Sequence, residues 1–160
     1  MLRHTFTSLV ACCSLLLANA CSFSSAGELS RPSPELQVNQ VLDLQLEALK
    51  RTGNTRRGVA QMFVFASPKS REMMGSFDAF ATLIHTHMTP LVGHRSSRKV
   101  ILEENEMRVS YQVTVVDRQG EERHYEWVLE KMPSPECAFC WHNTYIHPME
   151  TPVKGATIEL

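Results

Sequence analysis

Two periodicities divide the chain. From Leu36 to Met88 apolar residues recur at helical spacing, and from Val100 to Ile146 they alternate with polar ones at the period of a strand. In the first helical stretch Leu36, Val38, Val41, Leu42 and Leu49 form a stripe that Leu44 and Leu46 widen, up to Arg51. Ser33-Pro34-Glu35 predicts its start, because Ser caps free N–H groups, Pro suits a first turn and Glu meets the positive helix end. Thr52-Gly53-Asn54 predicts its stop. A second, short helix is expected from Arg56 to about Phe63, burying Val59, Met62 and Phe63, with Ala66-Ser67-Pro68 as a break. A third follows Ser76, its candidate cap, with Phe77, Phe80, Ala81, Ile84 and Met88 on one face and Pro90 at its end.

The alternating half predicts four strands. They are Val100 to Glu104, Arg108 to Val116, Arg123 to Lys131 and Phe139 to Ile146. Asp117-Arg118-Gln119-Gly120 is a turn and Met132-Pro133-Ser134-Pro135 a loop. Phe139, Trp141 and Tyr145 are expected on one face of the last strand. Helices first and an antiparallel meander after them define an α+β class, with the helices packed on a curved sheet of about four strands. No internal repeat is present.

The remaining segments are read from composition. Arg3 is the only charged side chain before Glu28, an apolar run follows over Leu9–Leu17, and Ala18-Asn19-Ala20 supplies small residues at a cleavage site. These are the parts of a secretory signal, and the run is too short to span a bilayer, which takes about 20 residues. The expected organisation is therefore a signal peptide over 1–20, a Ser/Pro-rich tether over 21–34, one domain over 35–148 and a flexible tail over 149–160. Export to the periplasm or outside the cell is the expected location. A membrane-anchored lipoprotein and an organelle-targeted protein are the alternatives. Leu17-Ala18-Asn19-Ala20-Cys21 resembles a bacterial lipobox, which makes Cys21 the lipidation candidate, although Asn19 departs from the pattern and Leu17 lies one place too far out. Membrane contact is expected only through this N-terminus.

Composition narrows the partners. The chain has 160 residues, 43% of them hydrophobic and 21% charged, with a net charge of −1. That composition suits one packed domain and gives no basic field for nucleic acid. Arg95, Arg98 and Lys99 make only a small basic cluster of the kind found on solvated loops.

Three groups of residues carry candidate chemistry. Cys137-Ala138-Phe139-Cys140 has the spacing of a redox pair, half a zinc site or a tight disulfide. The structural disulfide is preferred, since no helix opens at the pair to stabilise a thiolate and no second Cys pair completes a zinc site. His85-Thr86-His87 with His94 falls on a helix end and a loop, where i and i+2 diverge, so no metal is expected. Tyr111, Tyr125, Trp127 and Trp141 share the odd-numbered face of three strands; they are core residues or, if the sheet curls, the lining of an apolar pocket. The chain has no Ser-His-Asp order, Walker loop, dinucleotide-binding Gly loop or HExxH string, and no cofactor is expected.

Several short motifs recur in a fixed order: Leu44-x-Leu46-Glu47-Ala48-Leu49-Lys50, Phe63-x-Phe65-Ala66-Ser67-Pro68, Gly75-x-Phe77-x-x-Phe80, Leu91-x-x-His94-Arg95 and Cys140-Trp141. From Leu36 to Pro148 the chain resembles a domain family of unknown function similar to the nuclear-transport-factor-like superfamily, also called cystatin-like or ketosteroid-isomerase-like. The resemblance implies a cone-shaped fold with a cavity at its open end, and members that often dimerise through the outer sheet face. The leading expectation is a non-catalytic module that takes a small apolar ligand or a protein partner in the cone pocket or on the sheet face. One alternative is a small isomerase- or hydrolase-type enzyme using Tyr111, His124 and Glu126, though parity points His124 and Glu126 outward. The other is a thiol-redox accessory protein acting through Cys137 and Cys140. A homodimer stays open, with Arg108, Gln112, Glu126 and Glu130 on the outer face.

Overall fold

The structure, a computed structural model, describes residues 28–51 and 55–150. Among the described residues four helices, α1 (Val38–Lys50), α2 (Thr55–Phe65), α3 (Pro68–Met74) and α4 (Phe77–His87), precede four strands, β1 (Ser96–Glu104), β2 (Arg108–Val116), β3 (Glu122–Ser134) and β4 (Cys137–Met149). The strands form one antiparallel sheet in the order β1-β2-β3-β4, which is the α+β meander that the change of period implies.

Helix α1 begins later than its Ser-Pro-Glu signal. Residues 34 and 35 form a turn closed by Leu36 N–H on the Ser33 carbonyl, at 3.2 Å. Gln37 precedes the helix instead, and its N–H donates to the Gln40 side-chain oxygen at 2.8 Å. The stretch before α1, expected as a tether, is docked at Ser30. The Ser30 N–H donates to the Gln61 side-chain oxygen (2.9 Å), and the Gln61 amide donates back to the Ser30 carbonyl (2.7 Å). Two helices lie where the sequence suggests one helix and a break. Ser67 ends the α2 segment and caps α3, accepting from the Ser70 N–H at 3.1 Å, with Pro68 in the first turn. Gly75, at φ 73°, closes α3, and Ser76 caps α4 as expected.

The helices stack on one another before they meet the sheet. Gly58 lets α2 lie directly on α1: a Cβ there would come within 2.5 Å of the Ala48 carbonyl oxygen. Phe63 of α2 packs against Phe77 and Phe80 of α4, at 5.7 and 5.4 Å between ring centres. The core joins Val41, Leu42, Leu46 and Leu49 of α1 to Val59, Met62 and Phe65 of α2, to Phe80 and Ile84 of α4, and to the inner face of β2 and β3.

The sheet departs from simple alternation in three ways. β1 starts at Ser96, four residues before its apolar signal, and is held there by Arg98–Glu122 and Lys99–Asp43 ion pairs. β3 and β4 run on to a two-residue turn at Pro135–Glu136, and Pro133 falls at a register irregularity, where a proline is tolerated. A further irregularity between Val128 and Leu129 places one extra residue, Thr144, in β4. It rotates Tyr145 to the face opposite Trp141, so the expected Phe139–Trp141–Tyr145 face does not exist. Phe139 and Tyr145 are exposed, and Tyr145 stacks on His147 at 5.6 Å.

Candidate functional site

A groove opens between the helices and the edge of β4. Met62 and Ala66 lie along α2 and its end, Ser70 and Met74 come from α3, and Phe80, Leu83 and Ile84 come from α4, with Met88 at its C-cap. The opposite wall is the run Asn143, Thr144, Tyr145 and Ile146 of β4. Its volume is about 130 Å³, close to the 150 Å³ of an apolar cavity that holds benzene. Three thioethers line it, and Met side chains suit sites that adapt to varied apolar groups. Met74 and Met88 sit at opposite ends of α4, so the groove runs along that helix and the thioethers do not converge on one metal.

The polar groups of the groove come from α3 and β4. The Ser70 hydroxyl lies 2.8 Å from the Ser67 hydroxyl and keeps spare acceptor capacity. Asn143 is the centre of a buried network. Its side-chain oxygen accepts from Trp127 Nε1 (2.8 Å) and Gln45 Nε2 (3.3 Å), and its amide donates to the Gln45 side-chain oxygen. Gln45 also donates to the Val41 carbonyl at 2.9 Å. This network fixes β4 to α1 and sets the orientation of the Asn143 amide at the groove wall. Among the described residues no carboxylate or imidazole lines the groove.

The aromatic set named by the sequence lies elsewhere. Tyr111, Tyr125, Trp127 and Trp141 are 3, 3, 0 and 8% exposed, packed in the core, and none of them lines the groove. Trp127 holds a lining residue from behind, donating its Nε1–H to Asn143. Burial pushes the Tyr111 hydroxyl up to about 12, aided by Glu104 and Asp43, and burial also lifts Tyr125 to about 12.

The other candidates fall into three places. His124 and Glu126 lie on the outer sheet face, where Glu126 accepts from the Ser110 hydroxyl (2.8 Å) and His124 Nδ1 meets the Thr114 hydroxyl (3.0 Å). They are therefore separated from Tyr111 by the sheet. Gln112, expected on the outer face, is buried, as are Ser110 and Thr114 on the same strand. His85 and His87 are exposed on α4, while His94 is buried and its Nδ1 bonds the Leu91 carbonyl at 2.8 Å. Arg95 donates to the Arg118 carbonyl, Arg98 pairs with Glu122 and Lys99 with Asp43, so the basic cluster is tied into the sheet and α1. Among the described residues no group of His, Cys, Asp and Glu could hold a metal, and no helix is long and apolar enough to cross a membrane.

Cys137 and Cys140 lie at disulfide distance, with Cα atoms 5.8 Å apart, flanking the irregular step Ala138–Phe139 of β4. Ser134 Oγ accepts from the Cys137 N–H at 3.1 Å and holds the turn. Nearby, Arg71 of α3 pairs with Glu136 at 3.1 Å and holds its carboxyl below the usual carboxylate range. His142 is fully buried close to that pair. The Phe65 carbonyl is near its ring, but neither ring nitrogen meets hydrogen-bond geometry. Cys21 and the signal segment lie outside the described residues.

The fold and groove define an α+β domain with an apolar cleft between its helices and the edge of its sheet. The chain belongs to the family described as "Domain of unknown function (DUF4864)", whose model matches residues 32–136, from before α1 to the turn between β3 and β4. No curated protein and no solved structure matches it.

Proposed function

We propose that this domain is a non-catalytic binding module whose groove between α4 and β4 accepts one apolar group of about the size of benzene or a leucine side chain. The observation that carries this reading is the lining: thioether, aliphatic and aromatic groups on both walls, with a few hydroxyl and amide groups from Ser70 of α3 and from Asn143, Thr144 and Tyr145 of β4. That is the composition of a site that gains affinity from apolar burial and orientation from a few polar contacts. The same lining supports a binding module over an acid-base enzyme, since among the described residues it holds no titratable pair. A pair of raised-pKa phenols in the core offers no base. Helices followed by an antiparallel meander also suit the cone of the nuclear-transport-factor-like superfamily, which we propose as the wider kinship of the family. Arg3, the Leu9–Leu17 run and Ala18-Asn19-Ala20 support export.

The test is ligand-dependent stability with benzene and related small apolar probes. A probe at ten times its Kd raises stability by about 1.4 kcal/mol. Leu83 sits at the rim and is already 39% exposed, so Leu83→Glu is expected to leave the fold intact and to weaken binding several-fold. A stabilisation that Leu83→Glu leaves unchanged would place the site elsewhere and reject the reading.

A further inference from the structure

β4 is the last strand of the sheet, so one of its edges presents main-chain N–H and C=O groups that no neighbouring strand takes up. At Asn143 that edge is engaged. Ala66 makes a parallel bridge there, and the Ser67 N–H donates to the Asn143 carbonyl at 2.9 Å. Ser67 then caps α3, which carries the chain away from the sheet. From Thr144 onward, no described backbone group pairs with this edge, and β3 takes up only the opposite one. Pro148 has no N–H and blunts the far end. The open edge therefore runs over Thr144–His147, where alternate residues turn their N–H and C=O away from β3.

Three of those four, Thr144, Tyr145 and Ile146, also wall the groove, and α4 stands opposite with Ile84 and Met88. A strand edge on one side and a helix on the other is the setting in which an extended peptide adds to a sheet. A small apolar solute would fill the cavity and leave the edge amides to water. An extended backbone takes up both features, and it continues the pairing that Ala66 and Ser67 begin. The space of about 130 Å³ sets the side-chain requirement: one Leu-, Met- or Phe-sized group, with the next residue pointing away from the groove.

The geometry points to strand addition: the groove's occupant is an extended segment of a partner protein, pairing its backbone with Thr144–His147 and burying one apolar side chain against Met62, Ile84 and Met88. The inference rests on the groove being a binding site and adds a backbone requirement to it.

The experiment titrates the full chain with three capped heptapeptides of alternating threonine, each with Leu, Met or Phe at the centre and Lys at both ends. Each is compared with its counterpart N-methylated on alternate amides, which keeps the side chains and removes the ladder donors. Benzene is titrated separately. The expected result is that at least one peptide, at up to millimolar concentration, shifts the Met62 methyl signal and slows amide exchange within Thr144–His147 at least tenfold. Its N-methylated form is expected to bind at least tenfold more weakly. Equal binding of the N-methylated form overturns strand addition, as does a response to benzene with none to any peptide. Both of those outcomes leave the apolar groove standing. No response to benzene or to any peptide overturns both readings. Slow exchange at these amides before peptide is added, rising with protein concentration, would assign the edge to a second copy of the chain and also overturn the proposal.

Discussion

Replacing Asn143 by Leu separates the structural role of the groove wall from its apolar character. The substitution keeps the side chain's approximate size but removes the acceptor for Trp127 Nε1 and the donor to Gln45. Trp127 and Gln45 are both fully buried, so water cannot replace Asn143. Each orphaned buried group costs about 1–3 kcal/mol, and a buried Leu returns part of that through apolar transfer. The expected net loss is about 2–4 kcal/mol. Gln45→Met in the same chain removes one of the two orphans, because Gln45 Nε2 and its oxygen then disappear together. The double variant is expected to recover about 1–2 kcal/mol relative to Asn143→Leu, which is a coupling a pair of independent sites would not show. Urea unfolding of the four proteins of the cycle measures this. An Asn143→Leu protein within about 0.5 kcal/mol of the parent, or a double variant less stable than the single one, refutes a satisfied buried network.

Gly58→Ala gains about 1 kcal/mol of helix propensity but drives a Cβ to 2.5 Å from the Ala48 carbonyl oxygen, so a net loss of about 1–2 kcal/mol in urea unfolding is expected; a gain would show that α1 and α2 are not in backbone contact. Oxidised protein is expected to be about 2 Da lighter than reduced protein, and its short loop limits the stability lost on Cys137→Ser to about 2 kcal/mol; two freely alkylated thiols in unreduced protein would remove the bridge. His94 and His142 have native pKa values pushed below the usual 6.5 by burial, with Arg71 adding to the effect at His142 and Glu136 opposing it. The unfolded chain then binds more protons than the native one between those lowered values and 6.5, so stability is full above 6.5 and falls as pH drops through that window. His142→Leu is expected to flatten this acid dependence while changing stability at pH 7.5 by less than about 1 kcal/mol, and an unchanged pH slope would place the titration elsewhere.

The fold class was legible because it depends on period, and period survives local error. Val41, Leu42, Leu46 and Leu49 of the α1 stripe and the face Phe80, Ala81, Ile84 of α4 are buried as their spacing implies, and Leu36, Val38 and Leu44 are partly buried against that core. Boundaries were less legible where one signal has two meanings. Ser67-Pro68 is a break in α2 and at the same time the cap and first turn of α3. β1 hides its first half because Ser96–Lys99 is polar and held by ion pairs, which leave no apolar alternation. The groove was illegible for a different reason. It gathers Met62, Met74, Met88 and Asn143 from four elements, and no local pattern joins them. Two anomalies did point toward it: Gln45 within an apolar helical stripe and Asn143 on the inward parity of an aromatic strand, each a polar residue that requires a buried partner. The extra residue at Thr144, which turns Tyr145 outward, left no mark in the alternation pattern.

The most direct test of the binding groove is the methyl spectrum of methionine-labelled protein during a benzene titration. Met62, Met74 and Met88 line the groove, whereas Met73 and Met107 are exposed away from it. The account predicts saturable shifts of the three lining methyls with one common Kd and no change at Met73 or Met107. Saturable shifts confined to other methionines, or none at any methionine up to the solubility of benzene, contradict it.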